Sequence, residues 1–152
     1  MNNVLEQKKI EIYDTTLRDG TQGEGFSLSI EDKLMITDIL DELGIDFIEG
    51  GFPASNPKDK KFFESASKKK LKHSKLAAFG STRKKNVRAK DDAGLIVLSE
   101  TDANYVTIFG KSWDLHVDSV LKISLEENLD IISDSVEFLK CCPRADPKIC
   151  RR

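Results

Sequence analysis

Asp14-Thr15-Thr16-Leu17-Arg18-Asp19-Gly20-Thr21-Gln22 stands directly behind a short apolar run, residues 10–13. A strand that runs into such a stretch reads as the opening of a site at a strand end. Arg18 offers a rigid positive fork for a carboxylate or an enolate oxygen. Asp19 offers a hard oxygen ligand for a divalent metal. Gly20 lets the backbone turn and approach a ligand closely. Taken alone, Arg18 and Asp19 read equally well as a surface ion pair.

The rest of the chain repeats this arrangement. The first strand is expected over residues 9–14. Ser29 opens a helix, with Asp32 three positions on as in a capping box. Its apolar residues Ile36, Ile39, Leu40 and Leu43 share a face, and Gly44 stops it. A second strand, residues 45–49, ends in Gly50-Gly51-Phe52-Pro53. Asn56-Pro57 starts the next helix with a cap and a first-turn proline. Phe62, Phe63 and Ala66 face its core, and Lys68-Lys69-Lys70 form a solvated end. A third strand, residues 76–79, leads into Gly80-Ser81-Thr82. Asp91 and Asp92 precede a short helix that runs to about Glu100. The fourth strand, residues 104–109, ends in Gly110-Lys111-Ser112. Ser124 and Glu127 cap a last helix whose stripe is Leu125, Leu129, Ile132, Val136 and Leu139.

Strands alternating with helices at this spacing imply an α/β fold with a parallel sheet. The chemically distinctive residues follow the strands, where sites of parallel α/β folds form. An open doubly wound sheet and half of a (β/α)8 barrel both fit. A whole barrel takes about 250 residues. The first loop has neither a Gly-x-Gly-x-x-Gly nor a Walker sequence, which argues against a nucleotide-binding sheet.

The chain has 152 residues and a formal net charge of −2, so nothing favours nucleic acid or a membrane as partner. It has no bilayer-length apolar run and no signal-peptide core, and it reads as a cytoplasmic, soluble domain. Cys141, Cys142 and Cys150 all lie in the tail, so disulfides do not hold the body and a zinc site lacks ligands. Residues 1–140 read as the domain. Residues 141–152 read as an aberrant tail from an interrupted reading frame near Lys140, or as a native disordered tail.

Residues 14–22 resemble the signature of the acyltransferase family of 2-isopropylmalate, homocitrate and citramalate synthases, which also contains hydroxymethylglutaryl-CoA lyase. Ile48-Glu49-Gly50-Gly51-Phe52-Pro53-Ala54-Ser55-Asn56-Pro57 resembles the family's second β-α junction. Phe79-Gly80-Ser81-Thr82-Arg83 and the segment from Val106 through Lys111-Ser112-Trp113-Asp114-Leu115-His116-Val117 look most like the citramalate synthase branch. The resemblance implies that residues 9–140 are the first four β-α units of a (β/α)8 TIM barrel.

It further implies an acyltransferase that condenses acetyl-CoA with a 2-oxoacid. Pyruvate, giving citramalate for isoleucine, is the first expectation, and 2-oxoisovalerate, for leucine, is the second. In that chemistry Asp19 would bind a divalent metal (Mg²⁺, Mn²⁺ or Zn²⁺) that polarises the ketone. Arg18 would stabilise the enolate oxygen. Gln22 would hydrogen-bond in the same pocket, and Glu49 would hold Arg18. Thr82 and His116 would touch substrate, although Thr82 also suits a turn cap and His116 a structural histidine. The family is expected to be homodimeric. Its metal site also uses two neighbouring histidines, whereas this chain has only His73 and His116, far apart in sequence. The 152 residues alone are therefore expected to lack synthase activity. A third reading is a non-catalytic half-barrel, oligomeric through its open first and fourth strands.

Overall fold

The computed structural model describes residues 10–141. Four parallel strands, β1 (Tyr13–Asp14), β2 (Phe47–Gly51), β3 (Lys75–Ser81) and β4 (Tyr105–Phe109), lie side by side in chain order. The helices are α1 (Ile30–Glu42), α2 (Pro57–Ala66), α3 (Ala93–Glu100), the single turn α4 (Asp114–His116) and α5 (Leu125–Cys141). One contact separates a barrel segment from an open sheet. The Tyr13 hydroxyl on β1 lies 2.6 Å from Thr107 Oγ1 on β4, although these strands are the two edges. In a flat sheet they would stand about 14 Å apart. The sheet curls, and the α/β expectation holds as a partial (β/α)8 barrel.

Alternation along the strands gives the sheet two different faces. Ile48, Leu76 and Ala78 point outward and pack with Leu17, Phe62, Phe63 and Ala66. Val106 packs with Leu95, Leu98 and Leu139 in a second outward cluster. The opposite residues line the concave face. There Phe47 stacks on Tyr13 at 6.0 Å and meets Tyr105 edge-on at 5.0 Å.

The helices start where local chemistry requires. Ser29 Oγ accepts the Asp32 amide, and the Asp32 carboxylate accepts the Ser29 amide, completing the expected box. Asn56 Oδ1 accepts the Lys58 amide with Pro57 in the first turn. Asp92 caps α3 through the Gly94 and Leu95 amides.

Three expectations need correction. The first strand pairs only over Tyr13–Asp14, with the Ile12 carbonyl adding one bond to the Phe47 amide, because the ladder of β2 begins at Phe47. On α1 Ile36 and Leu40 pack against the core as expected, but the most deeply buried residues are Lys33, Thr37 and Asp41, while Ile39 and Leu43 are exposed. On α5 they are Asn128, Ile131, Ser135 and Leu139, while Leu125 and Leu129 are exposed. The cause is the same on both helices: buried polar side chains there, Thr37 apart, bind main chain beyond the helix. Lys33 donates to Gly50 O, Asn128 to Lys111 O, and Ser135 Oγ accepts the Arg83 amide. Of the tail, Cys141 closes α5, and residues 142–152 lie outside the described residues. No helix among the described residues is long and apolar enough to cross a membrane.

Candidate active site

The turn after β1 is wound by its own sequence. The Asp14 carboxylate accepts the Thr16 amide and hydroxyl, both at 2.9 Å. The amides of Arg18, Asp19 and Gly20 then all converge on the Thr15 carbonyl at 2.8–3.2 Å. Leu17, fully buried, plugs this turn into the outward core. Arg18 is thereby turned over the end of the sheet, and Thr21 Oγ1 donates to its carbonyl at 2.8 Å.

Arg18 Nε donates to Glu49 Oε1 at 2.6 Å, and Nη1 donates to Asp19 Oδ1 at 2.9 Å. Its guanidinium carbon sits 4.2 Å above the Phe79 ring, a cation–π contact that fixes the plane of the group. Glu49 is 2% exposed, whereas the Asp19 side chain is 57% exposed. The second Glu49 oxygen accepts the Tyr13 hydroxyl at 2.7 Å. Removing Arg18 would strand the Glu49 charge in the interior, at a cost of about 3–5 kcal/mol.

The chain beyond Glu49 is fixed from below. Lys33 Nζ donates to Gly50 O at 2.9 Å and to Asp59 Oδ1 at 2.5 Å, while Asp59 Oδ2 accepts the Phe52 amide at 2.9 Å. A side chain at Gly51 would strike the Asp59 carboxylate, and φ there is +153°. A Cβ at Gly50 would stand 2.5 Å from Phe62 Cε1. The glycine pair thus lets the strand bulge and seat Phe52 edge-on against Phe79 at 5.4 Å.

The structure joins Arg18, Asp19 and Glu49 directly. Gln22 ends the turn Gly20–Gln22 and is exposed, with no side-chain hydrogen bond among the described residues. Thr82 follows β3, and its amide donates to Phe109 O at 3.2 Å. His116 pairs with Trp113, ring centroids 4.6 Å apart, on α4. No hydrogen bond among the described residues ties Thr82 or His116 to the Arg18 cluster. Sequence reading missed Tyr13, Phe79 and Thr107. The available signals were the tyrosine directly before Asp14 and a threonine inside the apolar strand Tyr105–Phe109.

Asp19 suits a metal as one hard oxygen ligand. Among the described residues no group of three or more His, Cys, Asp or Glu side chains could hold an ion. The donors present therefore fit a single ligand position and not a complete shell.

A family model described as HMGL-like matches residues 9–144, a span that includes all four strands and the whole cluster. The chain belongs to the HMGL-like family. This HMGL-like chain is similar to the (R)-citramalate synthase of Sulfolobus acidocaldarius, 56% identical over 133 residues, covering 88% of this chain and 25% of that protein. The Aquifex aeolicus (R)-citramalate synthase is 54% identical over the same length and shares. Identity falls to 38% over 129 residues, 85% of this chain and 24% of that protein, for a Buchnera aphidicola 2-isopropylmalate synthase. The chain thus spans about a quarter of the length of these relatives. Among solved structures, the HMG-CoA lyase of Bacillus subtilis superposes with a TM-score of 0.63 at 21% identity, covering 95% of this chain and 46% of that one. That likeness supports the fold and matches a half-barrel.

Proposed function

We propose that this HMGL-like chain carries the enolate-binding part of an acyltransferase site that condenses acetyl-CoA with pyruvate, as the name (R)-citramalate synthase denotes for its relatives. The observation that carries the reading is the nearly buried Arg18–Glu49 pair, 2.6 Å long, within a segment 56% identical to one such synthase. Arg18 spends Nε on Glu49 and one Nη1 proton on Asp19, and Nη2 with the second Nη1 proton is left for the oxygen that gains charge as the acetyl methyl loses its proton. A preorganised cation at that oxygen lowers the barrier without rearranging at the moment of reaction. When bound, a divalent metal (Mg²⁺, Mn²⁺ or Zn²⁺) would supply Lewis-acid polarisation of the 2-oxoacid ketone, with Asp19 as one of its oxygen ligands. Gln22, exposed beside Asp19, hydrogen-bonds substrate, and Thr82 and His116 contact substrate from the loops after β3 and β4. A cytoplasmic, homodimeric enzyme accompanies this reading.

The lower identity to 2-isopropylmalate synthase makes 2-oxoisovalerate the second acceptor. A chimera tests both, with residues 9–144 replacing the matching segment of the Aquifex aeolicus synthase. Thiol release from acetyl-CoA is expected to favour pyruvate, and Arg18→Ala to lower kcat by about 10²–10³-fold. A folded chimera that prefers 2-oxoisovalerate, or an Arg18→Ala variant as active as its parent, would overturn the proposal.

A further inference from the structure

We infer that Tyr13 and Thr107 are positioning residues for the Arg18–Glu49 pair; their effect on catalysis rests on the role proposed above for Arg18. The geometry orders their protons. Tyr13 has one hydroxyl proton and donates it to Glu49 Oε2 at 2.7 Å. Thr107 Oγ1, 2.6 Å from the same hydroxyl, must then donate to Tyr13. The chain of bonds runs Thr107 to Tyr13 to Glu49, and Arg18 donates to the other Glu49 oxygen from the opposite side. A carboxylate held on both oxygens cannot rotate, so the line from Glu49 to Arg18 Nε is fixed. Phe79 sets the plane of the guanidinium, and Glu49 sets its direction within that plane.

The chain also ties β4 and β1 to β2 across the concave face. The angle of Arg18 therefore depends on a strand it does not touch. Hydrogen bonds linked in series in a low-dielectric interior strengthen one another, so loss of the Thr107 donor is felt at Glu49.

Two measurements test this. In the 152-residue chain labelled with ¹⁵N-arginine, the Arg18 Nε–H signal is assigned by its loss in Arg18→Lys, and its hydrogen exchange is followed. Tyr13→Phe keeps the ring against Phe47 and removes only the hydroxyl; exchange is expected to quicken about tenfold. Thr107→Val shifts it the same way, and Thr107→Ser, which keeps the donor, restores the parent rate. In the chimera, Tyr13→Phe is expected to lower kcat roughly ten- to a hundredfold. KM for pyruvate stays within about twofold, because only an interaction made in the transition state is lost. Unchanged Arg18 exchange in Tyr13→Phe overturns the inference, as does unchanged kcat in an active chimera. A parent chimera inactive with pyruvate counts against the proposed function instead, and the exchange measurement still decides the positioning.

Discussion

Asp41 and Glu49 are both almost fully buried, 5% and 2% exposed, and they lie at opposite ends of the sheet. Asp41 is met almost entirely by main chain. The amides of Lys72, His73 and Ser74, just before β3, donate to it at 2.7–2.8 Å. Glu49 is met by side chains: Arg18 from the turn after β1 and Tyr13 from β1 itself. Amides are fixed once their loop closes, so the Asp41 network can only hold or break. Side chains keep rotational freedom, so the Glu49 network can be tuned by what they touch next. In parallel α/β barrels the amino ends of strands carry stability and the carboxyl ends carry chemistry, and the role proposed for Glu49 beside Arg18 follows that division.

The largest expected effect is on stability at the Asp41 end. Asp41→Ala leaves three amides without their acceptor and is expected to cost about 3 kcal/mol. The urea midpoint falls while the slope of the transition is unchanged. A midpoint equal to that of the parent chain would break the comparison at its stronger end. Acid provides a second measurement. Burial pushes the Asp41 carboxyl up, but the amides of Lys72, Ser74 and His73 outweigh it and hold the group at about 2 against an ordinary 3.8. A carboxyl depressed on folding stabilises above its unfolded value and loses that contribution as pH falls through the folded one. Between about pH 5 and about pH 2 the parent chain should therefore lose about 2 kcal/mol more than Asp41→Ala does. Equal losses in the two proteins would remove Asp41 from the acid response.

Much of this division was legible in the sequence, and the failures have physical causes. The capping residues Ser29, Asn56 and Asp92 act over a few positions, and their local chemistry sufficed to place α1, α2 and α3. The Arg18–Glu49 pair was legible because both residues sit in distinctive motifs at neighbouring strand ends. Tyr13 and Thr107 were not, because their bond joins residues 94 positions apart and needs the curl of the sheet to form. The stripes on α1 and α5 held for Ile36, Leu40 and Leu139 but not for Ile39, Leu43, Leu125 and Leu129, because apolar periodicity assumes that a helix buries only carbon. These helices bury Lys33, Asp41, Asn128 and Ser135, each spent on a hydrogen bond to main chain elsewhere.

The smallest expected effect separates the two carboxylates most cleanly, because it replaces one by its amide. In Glu49→Gln the amide oxygen can still accept Arg18 Nε. Its NH₂ can donate to Tyr13, whose hydroxyl then turns and donates to Thr107. The chain reverses its protons, and only the Thr107 hydroxyl proton is left to find a new acceptor. Asp41→Asn has no such escape: its amide oxygen can keep the His73 and Ser74 amides, but the NH₂ then faces the Lys72 amide, donor against donor. Glu49→Gln is therefore expected to cost only about 1 kcal/mol in urea unfolding, less than Asp41→Asn, despite the deeper burial of Glu49. Faster exchange at Arg18 Nε–H should accompany it, because a neutral oxygen binds the guanidinium less tightly than a carboxylate. If Glu49→Gln instead costs as much as Asp41→Asn, the hydrogen-bond chain cannot reverse, and Glu49 belongs with Asp41 as a structural carboxylate.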